Sequence, residues 1–325
     1  MKTGVIGAGA WGTALAQVLA DGPGGVTLWA REPEVVASIN RTRENALFLK
    51  GLRLSPAITA TPDLADLADC EVLLVVTPAQ HVRNVLLQAD IGARPLVLCA
   101  KGIEAGSMQL VSEVAQSACP AAPIAVLSGP TFAHEVAGGL PTAVTLACED
   151  RALATTLAAH LARPYFRPYA SSDVIGAEIG GAVKNVLAIA CGVVEGRGLG
   201  LNARSALIAR GFAEMTRFGL AKGARTETLA GLSGLGDLVL TCSSTASRNF
   251  SLGKGLGEGK DAAELLASNR TVAEGAFTAP VLQQAARALG VDMPVVDAVC
   301  ALLSGSAPVD KVVGGLLSRP LRSES

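Results

Sequence analysis

The sequence predicts an α/β fold: an N-terminal Rossmann-type doubly wound sheet over residues 1–173, then an all-helical C-terminal domain over residues 174–325. Three observations carry this. Strand-like apolar runs, each trailed by helix-like sequence, fill the first half of the chain. A Gly-x-Gly-x-x-Gly turn sits directly after the first of those runs. Beyond residue 173 the strand pattern gives way to helical segments separated by Gly and Pro. At 325 residues the chain exceeds the usual single-domain size, which is consistent with two cores.

The first run, Thr3–Ile6, is followed at once by Gly7-Ala-Gly9-Ala-Trp11-Gly12, a helical stretch over 13–20 and a second strand at Val26–Trp29. This is a β-α-β unit of about thirty residues, the context that gives the glycine pattern its meaning. Gly7 permits the tight turn, Gly9 lets backbone approach a pyrophosphate, and Gly12 lets helix and strand pack closely. The helix N-terminus offers N–H groups and the positive end of its dipole. A dinucleotide is the ligand this arrangement suits. Trp29-Ala30-Arg31-Glu32-Pro33 ends the second strand. Arg31 there suits the 2′-phosphate of NADP or stacks on adenine, whereas Glu32 could serve the ribose of NAD or start a helix. NADP is favoured, with NAD left open.

Further strands are expected at 71–76, 95–100, 124–127 and 142–147, and near-continuous runs such as 72–76 are typical of parallel strands covered on both faces. Ligands of such sheets bind beyond the carboxyl ends of the strands. Three of those ends carry polar groups: Thr77-Pro78, Lys101-Gly102 and Ser128-Gly-Pro-Thr131. Lys101 either reaches into the crevice or is a solvated loop lysine. Ser128-Gly-Pro-Thr131 either presents N–H groups to an anion or is an ordinary Gly-Pro turn.

After 165–169 the strand pattern fades, and helices are expected over 174–198, 204–219, 279–289, Pro294–Leu303 and Val309–Leu317. The first would connect the domains, with the boundary near 171–173. It has almost no charge, yet Lys184 sits within its apolar run. At helical spacing Lys184 has small neighbours: Ala177, Gly180, Gly181, Ala188 and Cys191. Such a face can be approached by a ligand or by another backbone. Burial would lower the lysine pKa towards that of a proton-transfer group, and the plain alternative is a lysine snorkelling to water. Downstream, Asp237 follows a glycine-rich stretch. Ser247-Arg248-Asn249 ends a hydroxyl-rich one and either grips a phosphate monoester or forms a capped surface loop. The last residues, 322–325, are expected to fray.

Composition narrows the remaining classes. Hydrophobic residues make up 50% and charged residues 17%, with a formal net charge of −1. Disorder is therefore excluded, and no bulk attraction to nucleic acid or anionic membrane is expected. Seven scattered cysteines without a Cys-x-x-Cys pair read as small core residues of a reducing compartment. Three scattered histidines make a metal site improbable. The apolar run after Lys2 fits a strand–turn–helix unit better than an export signal, and no uncharged apolar run is long enough to span a bilayer. A cytoplasmic protein is expected.

Taken together, the motifs resemble one family, the bacterial-type NAD(P)-dependent glycerol-3-phosphate dehydrogenases, over nearly the whole chain. They run from Gly7-Ala-Gly-Ala-Trp-Gly-Thr-Ala-Leu-Ala16 through Ala100-Lys-Gly-Ile-Glu104 and Ser128-Gly-Pro-Thr-Phe132. Gly180-Gly-Ala-Val-Lys-Asn-Val186, Asn202-Ala-Arg204, Gly234-Leu-Gly-Asp-Leu-Val-Leu-Thr-Cys242 and Ser247-Arg-Asn249 complete the set. The resemblance implies interconversion of dihydroxyacetone phosphate and sn-glycerol 3-phosphate, which supplies membrane lipid synthesis. It implies Lys184 as general acid/base. Lys101, Gly129, Thr131, Ala133, Asp237, Ser247, Arg248 and Asn249 are then expected around the substrate. For the cofactor it points to Gly7, Gly9, Ala10, Trp11, Gly12, Arg31, Lys101, Ala133, Arg248, Val272 and Glu274. Ala10 stands where many members have serine, so one hydroxyl contact to the pyrophosphate would be lost.

Two other readings remain. The 6-phosphogluconate and 3-hydroxyisobutyrate dehydrogenases share the layout but place an asparagine a turn beyond the lysine, where this chain has Ala188. A cofactor-sensing binding protein would have little need of the lysine. A homodimer is expected only because two-fold dimers are the commonest oligomers.

Overall fold

In a computed structural model, which describes residues 1–268 and 273–318, the first half of the chain builds one eight-stranded sheet. Its strands are β1 (Thr3–Ile6), β2 (Val26–Trp29), β3 (Ile58–Thr61), β4 (Val72–Val75), β5 (Leu96–Leu98), β6 (Ile124–Ser128), β7 (Thr142–Cys148) and β8 (Phe166–Ser171). The order is β3-β2-β1-β4-β5-β6-β7-β8, and every pairing is parallel except β6 with β7. From β1 the chain winds outward to β3, then returns to lay β4 against the other side of β1. That reversal makes the carboxyl ends of β1 and β4 the switch point at which open α/β sheets bind ligands.

Helices cover both faces. The core on one face draws on α1 (Ala10–Ala20), α2 (Pro33–Thr42) and α6 (Arg151–Leu161), through Leu15, Val18, Val35, Ile39 and Leu157. On the other face, α3 (Val82–Gln88) and α4 (Val111–Ala118) bury Val82, Leu86, Val111 and Val114 against Leu73 and Leu96. The short α5 (Ala133–Ala137) packs on α1. Two strands escape the sequence pattern. β3 is four residues with two threonines, and Pro56 and Pro62 lie close to its two ends. β8 contains Pro168, which an outermost strand tolerates because it has no ladder on one side.

The second half is built around α7 (Val174–Gly196), nearly all of it buried between Gly176 and Val194. Asp173 starts it by accepting from the Gly176 N–H at 2.8 Å, as an N-cap should. Around α7 are α8 (Gly200–Ala221), α9 (Thr226–Leu229), a π-helical turn (Leu232–Gly236), α10 (Asp237–Thr241) and α11 (Arg248–Gly257). Then come α12 (Ala262–Ser268), α13 (Glu274–Ala288), α14 (Pro294–Leu303) and α15 (Val309–Leu317). α8 starts four residues before the expected 204 and α13 five before the expected 279.

The main partner of α7 is α11, a helix for which the sequence offers only the cap at Ser247. A Cβ on Gly192 would meet the Lys254 N at 2.7 Å, and one on Gly257 would meet the Val193 carbonyl oxygen at 2.5 Å. Bare backbone on both helices therefore lets the axes approach. The glycines that permit this also lower helix propensity, which hid α11. α7 is long and apolar enough to cross a membrane, but it carries Glu178 and Lys184, so it is not the uncharged run a span requires, and 94% of its apolar window is buried inside the protein. All seven cysteines carry free thiols, and six are buried, which agrees with their reading as core residues.

Candidate active site

Lys184 lies in the middle of α7, where the helix is wholly enclosed, and is only 5% exposed. Its Nζ donates to Asp237 Oδ1 at 2.5 Å and to Thr241 Oγ1 at 3.0 Å. Asp237 opens α10 and has no exposed surface. Its other oxygen, Oδ2, accepts from Lys101 Nζ at 2.7 Å. Lys101 follows β5 and also donates to the Gly129 carbonyl at 3.2 Å. One buried carboxylate is thus shared by two lysines from opposite halves of the chain. The Thr241 hydroxyl donates to the Asp237 carbonyl at 2.7 Å, so its oxygen faces Lys184 as an acceptor. Thr241 joins the site although in the sequence it is only one hydroxyl of a polar stretch.

This geometry tunes the lysine. Burial pulls the Lys184 pKa down to about 8, Asp237 opposes that fall, and Lys101 adds to it by like-charge repulsion. Two of the three ammonium protons are engaged by Asp237 and Thr241, which leaves one for a ligand. Of the two uses expected for the glycines beside it, approach by a ligand or by another backbone, Gly180 takes the second. A Cβ on Gly180 would collide with the Ser233 carbonyl, so Gly180 admits the backbone of the π-helical turn and not a ligand. Gly181 faces the Lys101 stem, with Lys101 Cγ 3.2 Å from where its Cβ would stand.

Of the other expected substrate contacts, Gly129, Thr131 and Ala133 follow β6 in one turn; Gly129 has φ +155° and would press a Cβ onto Val144 Cα at 2.9 Å. Ser247 caps α11, accepting from the Phe250 N–H at 3.2 Å. Arg248 opens that helix with its side chain exposed. Asn249 is partly committed to the fold: it donates to Asn185 Oδ1 at 3.0 Å and accepts from the Gly275 N–H at 2.9 Å, leaving one amide proton. Glu274 begins α13, and burial pushes its carboxyl up, opposed by the positive charges of Arg248, Lys101 and Lys184.

At the switch point, Gly7 has φ +114° and a Cβ there would press on Thr77 N at 3.1 Å. Gly9 is the N-cap of α1 and looks onto open space. No side chain caps α1, so the N–H groups of Ala10, Trp11 and Gly12 are available to an anion. Buried Asn45 braces this turn, donating to the Ala8 carbonyl and to Thr13 Oγ1, each at 2.8 Å; no motif announced it. Among the described residues, three buried polar atoms have no hydrogen-bond partner: Trp11 Nε1, Thr77 Oγ1 and Ser128 Oγ. All three lie at the carboxyl edge of the sheet, so the residues present fit a dinucleotide. Arg31 lies at the end of β2, exposed and paired with Glu32 at 2.9 Å. Val272 lies outside the described residues.

With this geometry in view, comparison with known proteins decides the family. A model described as the N-terminus of NAD-dependent glycerol-3-phosphate dehydrogenase matches residues 2–154, and its C-terminal counterpart matches residues 173–314. The chain belongs to that family. It is 65% identical to the glycerol-3-phosphate dehydrogenase [NAD(P)+] of Novosphingobium aromaticivorans, covering 100% of this chain and 98% of that one. A relative of the same description from Sphingopyxis alaskensis is 63% identical, over 99% and 97% of the two chains. The crystal structure of the glycerol-3-phosphate dehydrogenase of Coxiella burnetii superposes with a TM-score of 0.93 at 37% identity, covering 98% of this chain and 99% of that one.

Proposed function

We propose that the chain is an NAD(P)-dependent sn-glycerol-3-phosphate dehydrogenase in which Lys184 is the general acid/base. The observation that carries this reading is the buried lysine with a pKa near 8, held by Asp237 and Thr241 beside a dinucleotide-binding sheet edge. A nicotinamide dinucleotide held by these residues would supply hydride for reduction of dihydroxyacetone phosphate at C2 and accept it in glycerol 3-phosphate oxidation. Lys184, as an ammonium, donates its remaining N–H to the C2 carbonyl oxygen and passes that proton to the oxygen as negative charge develops there. In glycerol 3-phosphate oxidation the neutral amine removes the hydroxyl proton. Asp237 holds both lysines in register and keeps Lys184 protonated more readily than burial alone would. Lys101 brings a second positive charge to the substrate.

The phosphate end belongs to Arg248, whose guanidinium fork lies at the start of α11 beside Ser247 and Asn249. Gly129, Thr131 and Ala133 line the opposite wall. Gly7, Gly9, Ala10, Trp11 and Gly12 hold the pyrophosphate, and Lys101, Ala133, Arg248, Val272 and Glu274 complete the dinucleotide site. Arg31 favours NADPH by pairing with its 2′-phosphate, in place of its contact with Glu32. Replacing it, Arg31→Asp, is expected to raise KM for NADPH at least tenfold while changing KM for NADH little; initial-rate kinetics with both cofactors checks this.

The product feeds glycerophospholipid synthesis, the enzyme works in the cytoplasm, and residues 1–173 and 174–325 form its dinucleotide and substrate domains. The seven free thiols support the reducing compartment. A homodimer is the assembly we propose, which analytical ultracentrifugation tests. The function itself is tested by following absorbance loss of NADPH and of NADH with dihydroxyacetone phosphate. Turnover with either supports it; absence of turnover with both refutes it.

A further inference from the structure

We propose that the Thr77 hydroxyl is a binding group for the nicotinamide-side ribose of the dinucleotide, an inference that rests on the dinucleotide reading above. Thr77 stands two residues past the end of β4, is 6% exposed, and its Oγ1 is buried without a hydrogen-bond partner. A buried hydroxyl left unpaired is unfavourable, and such groups are retained where a ligand or water completes them. The backbone around it is already tied to the cofactor turn: a Cβ on Gly7 would meet Thr77 N at 3.1 Å, so the two chain segments touch. Thr77 therefore lies on the β4 side of the switch point where the strand order reverses.

Position along the sheet says which part of the dinucleotide it meets. Arg31 ends β2, the glycine turn ends β1, Thr77 ends β4 and Lys101 ends β5, in that spatial order, with neighbouring strands roughly 4.8 Å apart. Arg31 marks the adenosine ribose, the N-terminus of α1 the pyrophosphate, and Lys101 the reacting end. The moiety between pyrophosphate and reacting carbon is the nicotinamide ribose, whose two hydroxyls can donate to or accept from a threonine.

The test compares the wild-type chain with Thr77→Val, which keeps the volume and removes the hydroxyl, and Thr77→Ser, which keeps the hydroxyl. Dissociation constants are measured by calorimetry for NADPH, for ADP-ribose, which retains a ribose beyond the pyrophosphate, and for ADP, which does not. Thr77→Val is expected to weaken NADPH and ADP-ribose roughly three- to tenfold while leaving ADP unchanged, and Thr77→Ser to restore both. The ligand-free melting temperature of Thr77→Val should not fall, because no internal hydrogen bond is lost. Equal NADPH affinity in wild type and Thr77→Val, or an equal loss for ADP, overturns the assignment of Thr77 alone. A wild-type chain that binds neither NADPH nor NADH overturns the dinucleotide reading and this inference with it.

Discussion

Lys184 carries a charge where the chain leaves almost no water, and its neighbours decide how readily it gives up a proton. With its pKa lowered to about 8, it is largely ammonium at neutral pH and largely amine above pH 9. With Lys184 in the proposed role of general acid, reduction of dihydroxyacetone phosphate uses the ammonium, and its rate should fall as pH rises through about 8. Oxidation of glycerol 3-phosphate requires the amine and should rise over the same interval. Asp237 supports the charged form, so Asp237→Asn should move both limbs to lower pH. Profiles of log kcat against pH for the two enzymes check this, and a limb that stays put would remove Asp237 from the role. At this scale the sequence was partly legible. Lys101 is legible because it directly follows an apolar strand, and Asp237 because it is a single carboxylate behind a glycine-rich stretch. Thr241 and Asn45 are not, because one polar residue with no recurring spacing looks the same whether it faces solvent or braces a site.

At the scale of elements, two devices hold the site in place. The first is the crossing of α7 on α11. Gly192 sits where a Cβ would strike backbone of the other helix, so Gly192→Ala should destabilise by roughly 1–3 kcal/mol even though alanine is the better helix former. A drop of several degrees in melting temperature is the expected readout. The second is a pair of buried carboxylates that cap distant helices. Glu178 of α7 accepts from Ser112 N at 2.8 Å at the start of α4, and Glu214 of α8 accepts from Val295 N at 2.8 Å at the start of α14. Burial raises both pKa values from 4.5 to about 7. An acid whose pKa rises on folding binds its proton more tightly when folded, so its contribution is greatest below pH 4.5, declines through 7 and is constant above. Denaturant melts between pH 4.5 and 7 should show stability declining with pH, and Glu214→Gln should flatten that slope. The elements themselves were read well where the pattern was long and apolar. β1 and β2 fall where the sequence places them, whereas β3, β8 and α11 were hidden by threonine, proline and glycine.

Across the whole molecule, the candidate site forms because packing brings the two halves of the sequence together. Lys101 comes from the sheet, Lys184 from the helix that follows it, and Asp237 from the helices beyond; no local motif contains all three. The fold class was legible because sheet and helical segments are segregated along the chain, and the glycine turn marked where a dinucleotide would sit. The salt-bridged cluster was not legible from spacing, since positions 101, 184 and 237 meet only through tertiary packing. The proposed chemistry rests on Lys184. Turnover of NADPH with dihydroxyacetone phosphate should drop on the order of 10²–10⁴-fold in Lys184→Ala, while the NADPH dissociation constant, read by fluorescence on the same sample, stays within about twofold of wild type. Near-normal turnover in Lys184→Ala, with NADPH still bound, would contradict it.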